Sequence, residues 1–358
     1  ADPAWQGNDV WSVLRHVHRT CPTLLTSVWG TIRETLTSPD AEQRLAAVQL
    51  VGYLWQARPN TAVGHYGLLQ VWWQRQHDVK PEIRQALLPA CLSLVGHWAS
   101  QTEALSTLPA QALDETTRVV EALVVSDASS SVRLAAVHAV CEMLYKGGKA
   151  WMSNSPTAAR LLQAVGRRVS ARQASERQDA LTGLVKLYEK YYLRPLLEPL
   201  QELEDDENDN LEDIRQILDA HCRGKPRKHR AGAPSVRGST TPIRQALFCE
   251  AEEPYEWIPR ALFCAFQFTD MRGRVVQLVD EGLLPKKSSS IARAVGLAVL
   301  LDSLREDDAS NLLTDDSEAS AALRYLWQML STKALLQRQL EEYLDQRQKW
   351  KKSAKGTI

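Results

Sequence analysis

The chain has 358 residues, and its 43 Lys+Arg balance 43 Asp+Glu, so there is no global basic field of the kind that holds nucleic acid by overall electrostatics; any such contact must be local. The length exceeds what one compact core of ordinary size fills, whereas a helical solenoid, whose core grows in one dimension, has no such ceiling. No apolar run reaches the ~18 residues of a membrane span, and the N-terminus, which opens Ala-Asp-Pro rather than Met, lacks a secretory pattern; the chain is expected to be intracellular, away from membranes, and a processed or partial piece.

From about Val10 to Leu193 apolar residues recur at helical spacing. The pattern breaks near Pro22, Ser38-Pro39, Pro59-Asn60, Val79-Lys80-Pro81, Leu108-Pro109, Gly147-Gly148 and Asn154-Ser155-Pro156, as helix hairpins require. In the first helix His16 and His18 precede Cys21, which invites a metal. Residues two apart on a helix point to nearly opposite sides, so these imidazoles do not converge and no metal site is expected. One motif then recurs four times: a turn with Ser or Asp, an arginine several residues on, and an apolar stripe. It runs from Ser38-Pro39-Asp40 to Arg44, from His77-Asp78 to Arg84, from Ser126-Asp127 to Arg133 and, more weakly, from Ser170 to Arg177. These arginines fall 40, 49 and 44 residues apart, bracketing the period of roughly 40–47 residues of HEAT-type repeats.

Each such unit is a pair of helices that buries its apolar face only by stacking on its neighbours. The turn Ser or Asp is expected to accept hydrogen bonds from the first free N–H groups of the second helix. The arginine is placed to reach an acidic turn residue of an adjacent repeat through its planar fork, making a ladder that sets the repeat spacing. These arginines are read as braces rather than ligand contacts.

Two aromatic clusters, Trp72-Trp73 and Tyr188-Glu189-Lys190-Tyr191-Tyr192, lie on these helices. Adjacent aromatics on one helix are not expected both to face inward, so one ring of each pair should meet the rim or a ligand. Arg160, Arg167, Arg168, Arg172 and Arg177 precede the tyrosines; on neighbouring helices they would make a basic patch edged with aromatics, suited to an acidic or phosphorylated peptide.

The composition changes at residue 204. An acidic run, Glu204-Asp205-Asp206-Glu207-Asn208-Asp209, precedes the basic run Arg223-Gly224-Lys225-Pro226-Arg227-Lys228-His229-Arg230 and then a stretch rich in Gly, Pro, Ser and Thr. Residues 204–244 cannot bury enough apolar area to offset their ordering entropy and are predicted to be a disordered insertion, with a short helix surviving at Leu211–His221. The basic run, through Arg223, Lys225, Arg227, Lys228 and Arg230, reads as a nuclear import signal, a nucleic-acid tether or a solvated charge block. From about Tyr255 to Trp350 the helical pattern resumes, and Leu336, Leu340, Tyr343 and Leu344 share a face of the last helix. The predicted architecture is an all-α HEAT-repeat solenoid, with repeats over 1–203 and 245–358 flanking the insertion. The six cysteines include no CxxC pair, and Cys91 and Cys141 fall in apolar stripes as small hydrophobes, in keeping with a reducing compartment. No GxGxxG, P-loop, HExxH or Gly-x-Ser-x-Gly occurs, so a binding scaffold rather than an enzyme is expected, with a nucleic-acid tether or a different HEAT scaffold (a condensin subunit, a phosphatase scaffold or a transport receptor) as the alternatives.

Several stretches resemble the precocious-dissociation-of-sisters family of cohesin regulators. Trp257-Ile258-Pro259-Arg260-Ala261-Leu262, then Phe268-Thr269-Asp270, then Val276 to Pro285 is similar to the family's apolar-Pro helix, Asp-containing turn and helix ending in Leu-Leu-Pro. Ser38 to Val48 with Leu54-Trp55 looks like its first well-marked repeat, and Trp72-Trp73-Gln74-Arg75 with Asp78 to Arg84 looks like the next. Ala180 to Leu193 is similar to its helix ending in Leu-Tyr-Lys-Lys-Tyr, and Ala322 to Trp327 to its apolar-Trp helix. The match keeps its order over roughly residues 10 to 350, and the family's full proteins are much longer than this chain.

The resemblance implies a nuclear, non-enzymatic HEAT scaffold that binds the kleisin subunit of cohesin, with wings-apart-like protein and cohesion acetyltransferase as further partners. It would act on chromatin indirectly, in maintenance and release of cohesin. It carries the kleisin contact onto Tyr188, Lys190 and Tyr191, with Arg167, Arg168 and Arg172 beside them. Some members bind inositol hexakisphosphate on a neighbouring basic surface. Here the family's paired lysines become Glu189-Lys190 and its basic stretch becomes Arg172-Gln173-Ala174-Ser175-Glu176-Arg177, departures that weigh against that ligand.

Overall fold

A computed structural model describes residues 8–101, 107–195, 257–266, 268–283 and 296, and among them every regular element is helical. The acidic run, the basic run with Arg223, Lys225, Arg227, Lys228 and Arg230, and the helices expected at 211–221, 322–327 and 334–350 lie outside the described residues. The chain divides into two compact units, Ala1–Leu184 and Val185–Ile358.

In the first unit, α1 (Asn8–Thr20) leads through a 3-10 turn at Pro22–Leu25 to α2 (Val28–Leu36) and α3 (Ala41–Ala57). Then come α4 (Asn60–Gly64), α5 (Tyr66–Trp73), α6 (Pro81–Ala86), α7 (Leu88–Ala99), α8 (Thr107–Val125) and α9 (Ser130–Lys146). The series ends with α10 (Lys149–Asn154), α11 (Pro156–Gly166) and α12 (Ala174–Tyr188), within which the first unit stops. The hairpins are α2–α3, α5 with α6 and α7, α8–α9, and α11–α12. In the second hairpin the returning helix is interrupted at Leu87, because Pro89 lies in the first turn of α7 and has no N–H to continue the ladder. Pro109, read from the sequence as a break, lies in the first turn of α8.

The returning helix of each hairpin buries the same positions. Three, four and seven residues after the arginine stand Ala47, Val48 and Val51 in α3, then Leu87, Leu88 and Cys91 across α6 and α7. In α9 they are Ala136, Val137 and Val140, and in α12 Ala180, Leu181 and Leu184; all twelve are buried. That i+3, i+4, i+7 stripe is the 3.6-residue period turned toward the core. Burial pushes the Cys91 thiol well above its ordinary value, as fits an inert core residue.

The tryptophan pair departs from expectation, for Trp72 and Trp73 are both buried. The helix α5 is covered on two sides. Trp72 turns toward α3, where its ring meets Trp55 edge-on at 5.4 Å and its Nε1–H donates to the Val48 carbonyl at 3.1 Å. Trp73 packs edge-on against Tyr66 at 5.8 Å. Gly52 makes this possible: a Cβ there would stand 2.9 Å from Ala90 Cβ and 3.7 Å from Trp72 Cζ2. A similar close approach joins α9 to α12, where a Cβ on Gly183 would fall 2.3 Å from Cys141 Sγ.

The second unit opens with a π-helical turn at Glu189–Leu193. It also holds α13 (Ile258–Ala265), a 3-10 turn at Thr269–Met271, α14 (Arg272–Leu278) and a second π-helical turn at Val279–Leu283. The two π turns touch, and a Cβ on Gly282 would meet Val185 Cγ1 at 2.7 Å. Arg272 donates from Nε to the Phe266 carbonyl six residues back, at 3.4 Å, and Val275 and Val279 are buried three and seven residues on. This is a fifth copy of the braced turn, missed in the sequence although the Arg272, Val275 and Val279 spacing carries it.

Candidate functional site

The expected arginine ladder is present in the first unit, and each of its first three arginines does two things. Arg44 donates from Nη1 to the carbonyls of Ser38 and Pro39 at 2.8 and 2.9 Å, closing its own turn, and from Nε and Nη2 to both oxygens of Asp78 at 2.8 and 3.0 Å. Arg84 repeats this with the Asp78 and Val79 carbonyls at 2.7 and 3.2 Å and with the Asp127 carboxylate at 2.8 Å on both oxygens. Arg133 closes on the Asp127 and Ala128 carbonyls and donates to Glu176 Oε1. Arg177 closes on the Ala171 and Arg172 carbonyls at 2.6 and 2.8 Å. The acid taking the third rung is Glu176, in the first turn of α12, and not the turn residue Ser170, whose hydroxyl donates back to Arg167. The carboxylates also order the helices that follow: Asp40 accepts from Glu42 N–H, Asp78 from Lys80 N–H and Asp127 from Ser129 N–H.

A second arginine supports two of these acids. Arg75 reaches Asp78 at 3.4 Å, and Arg168, equally placed nine residues before its rung arginine, bonds Glu176 while donating to the Val125 carbonyl. Burial alone would raise the Asp78 carboxyl. The Arg44 hydrogen bonds, the Lys80 N–H and the nearby guanidinium charges outweigh it and hold the group below its ordinary value. For Glu176 burial is likewise outweighed by Arg133 and Arg168.

At the other edge, His18 is fully buried and His16 exposed, on opposite sides of α1. Thr61 gives its only hydroxyl proton to the Arg58 carbonyl, so its oxygen accepts from His18 Nε2–H at 3.1 Å. His18 and His65 flank Trp29, with ring centroids 5.7 and 4.9 Å away. Burial holds both histidines below their ordinary value, aided at His18 by the Arg58 charge. Among the described residues no group of three His, Cys, Asp or Glu is arranged to hold a metal.

Stability should therefore fall with acid in two stages. A histidine depressed in the fold stabilises fully above its unfolded value of about 6.5, and that contribution is lost as pH drops through the folded value. Asp78 and Glu176 contribute fully above about pH 4 and lose this below it. Thermal unfolding midpoints measured from pH 8 to 3 check this; a midpoint unchanged between pH 7 and 5 contradicts the histidine stage.

The anticipated basic patch is divided. Arg160 is taken by Glu121 and Asp114, Arg168 by Glu176, and Arg177 is buried in its turn. Arg167 and Arg172 are exposed. The structure thus uses three of the five cations as braces: Arg160 on carboxylates of α8, Arg168 on Glu176 and the Val125 carbonyl, and Arg177 on the carbonyls of its own turn.

In the second unit Tyr188 and Tyr191 are buried, while Lys190 and Tyr192 are half-buried. Tyr192 stacks on Tyr188 at 5.0 Å, Lys190 Nζ lies 5.0 Å from the Tyr191 ring centroid, and Glu189 pairs with Arg194. Tyr188 and Tyr192, four residues apart across the junction of α12 with the π turn, share a face, and Lys190 lies over the ring of its neighbour Tyr191. A cleft of about 410 Å³ in the first unit, lined by His77, Val79, Arg84, Leu123, Ser126 and Asp127, separates the second and third braced turns. The Arg84–Asp127 pair in its lining is already engaged in the ladder. No helix among the described residues is long and apolar enough to cross a membrane.

Stacked hairpins locked along one edge by an arginine-to-acid ladder define a HEAT-repeat scaffold. The chain belongs to the sister chromatid cohesion protein PDS5 family, whose model matches residues 5–223. Among solved structures, that of the Pds5–Scc1 complex is similar in fold, with a TM-score of 0.52 at 14% identity over 88% of this chain and 37% of that one. The chain therefore spans well under half the length of that relative. Two engineered proteins also match, at 12% identity (TM-score 0.33, 77% of this chain, 96% of the other) and 13% identity (0.25, 92% and 96%), similarities too slight to bear on the fold. Comparison with curated protein sequences returns no match.

Proposed function

We propose that the chain is a non-enzymatic scaffold that binds a cohesin kleisin and so regulates sister chromatid cohesion in the nucleus. The observation that carries this is membership of the PDS5 family over most of the first unit, joined by a fold similar to that of a protein solved with the kleisin Scc1. In this reading Lys190 and Tyr192 contact the kleisin, Tyr188 and Tyr191 hold the π turn that presents them, and Arg167 and Arg172 offer exposed cations on the first unit, with Arg168 bracing their turn. Wings-apart-like protein and cohesion acetyltransferase are the further partners it entails, and the repeat stretches 1–203 and 245–358 with the segment 204–244 between them are its domains.

Titration of the chain with kleisin fragments tests it. Lys190→Glu with Tyr192→Ala is expected to weaken binding by about 2 kcal/mol, roughly 30-fold, with an unchanged helical spectrum. Arg167→Glu with Arg172→Glu should weaken it less, and more at low salt than at high. Unchanged affinity in both variants removes these residues as the site, and no binding by the unaltered chain removes the function.

A further inference from the structure

Among the braced turns, the position six residues before the arginine is Asp78 and Asp127 in the second and third, Ala171 and Phe266 in the fourth and fifth, and a hydroxyl residue, Ser38, in the first. Each aspartate does three things: it gives its carbonyl to the arginine of its own turn, it accepts the N–H of the residue two further on, and its carboxylate takes the arginine of the preceding turn. In the first turn that position is Ser38. It does the first two: its carbonyl accepts from Arg44 Nη1 at 2.8 Å, and its Oγ accepts from Asp40 N–H at 3.2 Å. It lacks the third, having a neutral hydroxyl where the two aspartates have an anion.

The surroundings of Ser38 are those of an accessible acceptor. It stands in the non-helical link between α2 and α3, directly before the exposed Pro39, and the residue before a proline is held away from the helical region. Its hydroxyl lies at the surface and donates to Gln43 Oε1 at 2.8 Å. The other Ser-Pro pair of the first unit, Ser155-Pro156, differs on both counts: the Ser155 hydroxyl caps α11 by accepting from Ala158 N–H, and Pro156 is already in that helix.

We propose that Ser38 is a phosphorylation site for a proline-directed protein kinase, and that phosphoserine there supplies the anion Asp78 and Asp127 supply in the later turns. In the transfer, Ser38 Oγ attacks the γ-phosphorus of ATP, the bond from that phosphorus to the β-bridging oxygen breaks, ADP leaves, and the hydroxyl proton passes to the kinase's base. The product carries nearly two negative charges. Its oxygens accept from Asp40 N–H in place of Oγ, and the Gln43 amide, turned about its last bond, donates to them. Arg44, already flanked by Asp78 and by Asp40 of its own turn, gains a further anion there while keeping both. The remaining phosphate oxygens face outward as acceptors for a guanidinium, the role that the preceding repeat's arginine meets at Asp78 and Asp127.

Incubation of the full chain with ATP and a cyclin-dependent type proline-directed kinase, followed by mass-spectrometric site mapping, tests the assignment. Incorporation at Ser38 is expected, abolished in Ser38→Ala and retained in Ser155→Ala. The phosphorylated chain is expected to melt about 2 °C higher than the unmodified one, the scale of an anion well placed near a helix start. Incorporation at Ser155 alone, or at neither serine, overturns the site. Incorporation at Ser38 with an unchanged or lowered midpoint overturns its equivalence with Asp78 and Asp127. None of these outcomes depends on kleisin binding.

Discussion

Replacing Arg84 by Met is expected to destabilise the first unit by about 3 to 5 kcal/mol, seen as a lower urea midpoint at an unchanged slope. The guanidinium is almost wholly enclosed, and the Asp127 side chain it holds is 2% exposed. Removing it strands that carboxylate, with only the Ser129 N–H left as a hydrogen-bond donor to it, and also frees the Asp78 and Val79 carbonyls. Most of the cost is the uncompensated charge rather than the lost attraction, which gives the prediction a second arm. Arg84→Met combined with Asp127→Leu should recover a large part of the loss, since an apolar pair of similar volume often matches a buried ion pair. A double variant no better than the single one would show that the carbonyl contacts, and not the charge, dominate.

Trp72→Ala should cost about 3 to 5 kcal/mol, the largest effect expected of any aromatic in the first unit. The ring is fully enclosed between α3 and α5, meets Trp55 edge-on and donates to Val48. The void left behind would be walled by Trp55 and by α3 at Gly52, which has no side chain to relax into it. Trp72→Phe keeps most of the volume and loses the hydrogen bond, so it should cost less than half as much. Trp73→Ala makes a useful contrast, because that ring sits at 7% exposure against Tyr66 and its removal opens partly to solvent. Thermal or urea unfolding of the three variants should rank them Trp72→Ala, Trp73→Ala, Trp72→Phe.

The ladder was legible in the sequence because its parts are local: a turn acid, an arginine six residues on and apolar residues three, four and seven beyond it all lie within fourteen residues. Where the pattern weakened at Ser170, the acceptor proved to be Glu176, a helix residue whose pairing with Arg133 lies 43 residues back and leaves no local mark. The burial of both Trp72 and Trp73 was not legible, since a rule about opposite faces holds for a helix with one covered side and α5 has two. The cation cluster misled for a related reason. Spacing showed five arginines near one another, but their partners Glu121, Asp114 and the Val125 carbonyl are contributed by α8, which is remote in sequence. At the tyrosine segment the π turn at Glu189–Leu193, in which Tyr191 is buried and Lys190 half-buried, has no residue signature of its own.

The two edges of the first unit are fastened differently. Along one, ionic clips between successive turns resist separation. Along the other, His18 to Thr61 and Asn60 to His97 are single contacts involving no carboxylate. Bending that splays the clipped edge must pull guanidinium from carboxylate, whereas bending that splays the other edge only lengthens weak contacts that water readily replaces. The unit should therefore be an anisotropic spring, stiff in one sense and compliant in the other. A filament running along it would feel a surface that lengthens at one margin under tension while the spacing of its braced turns stays fixed.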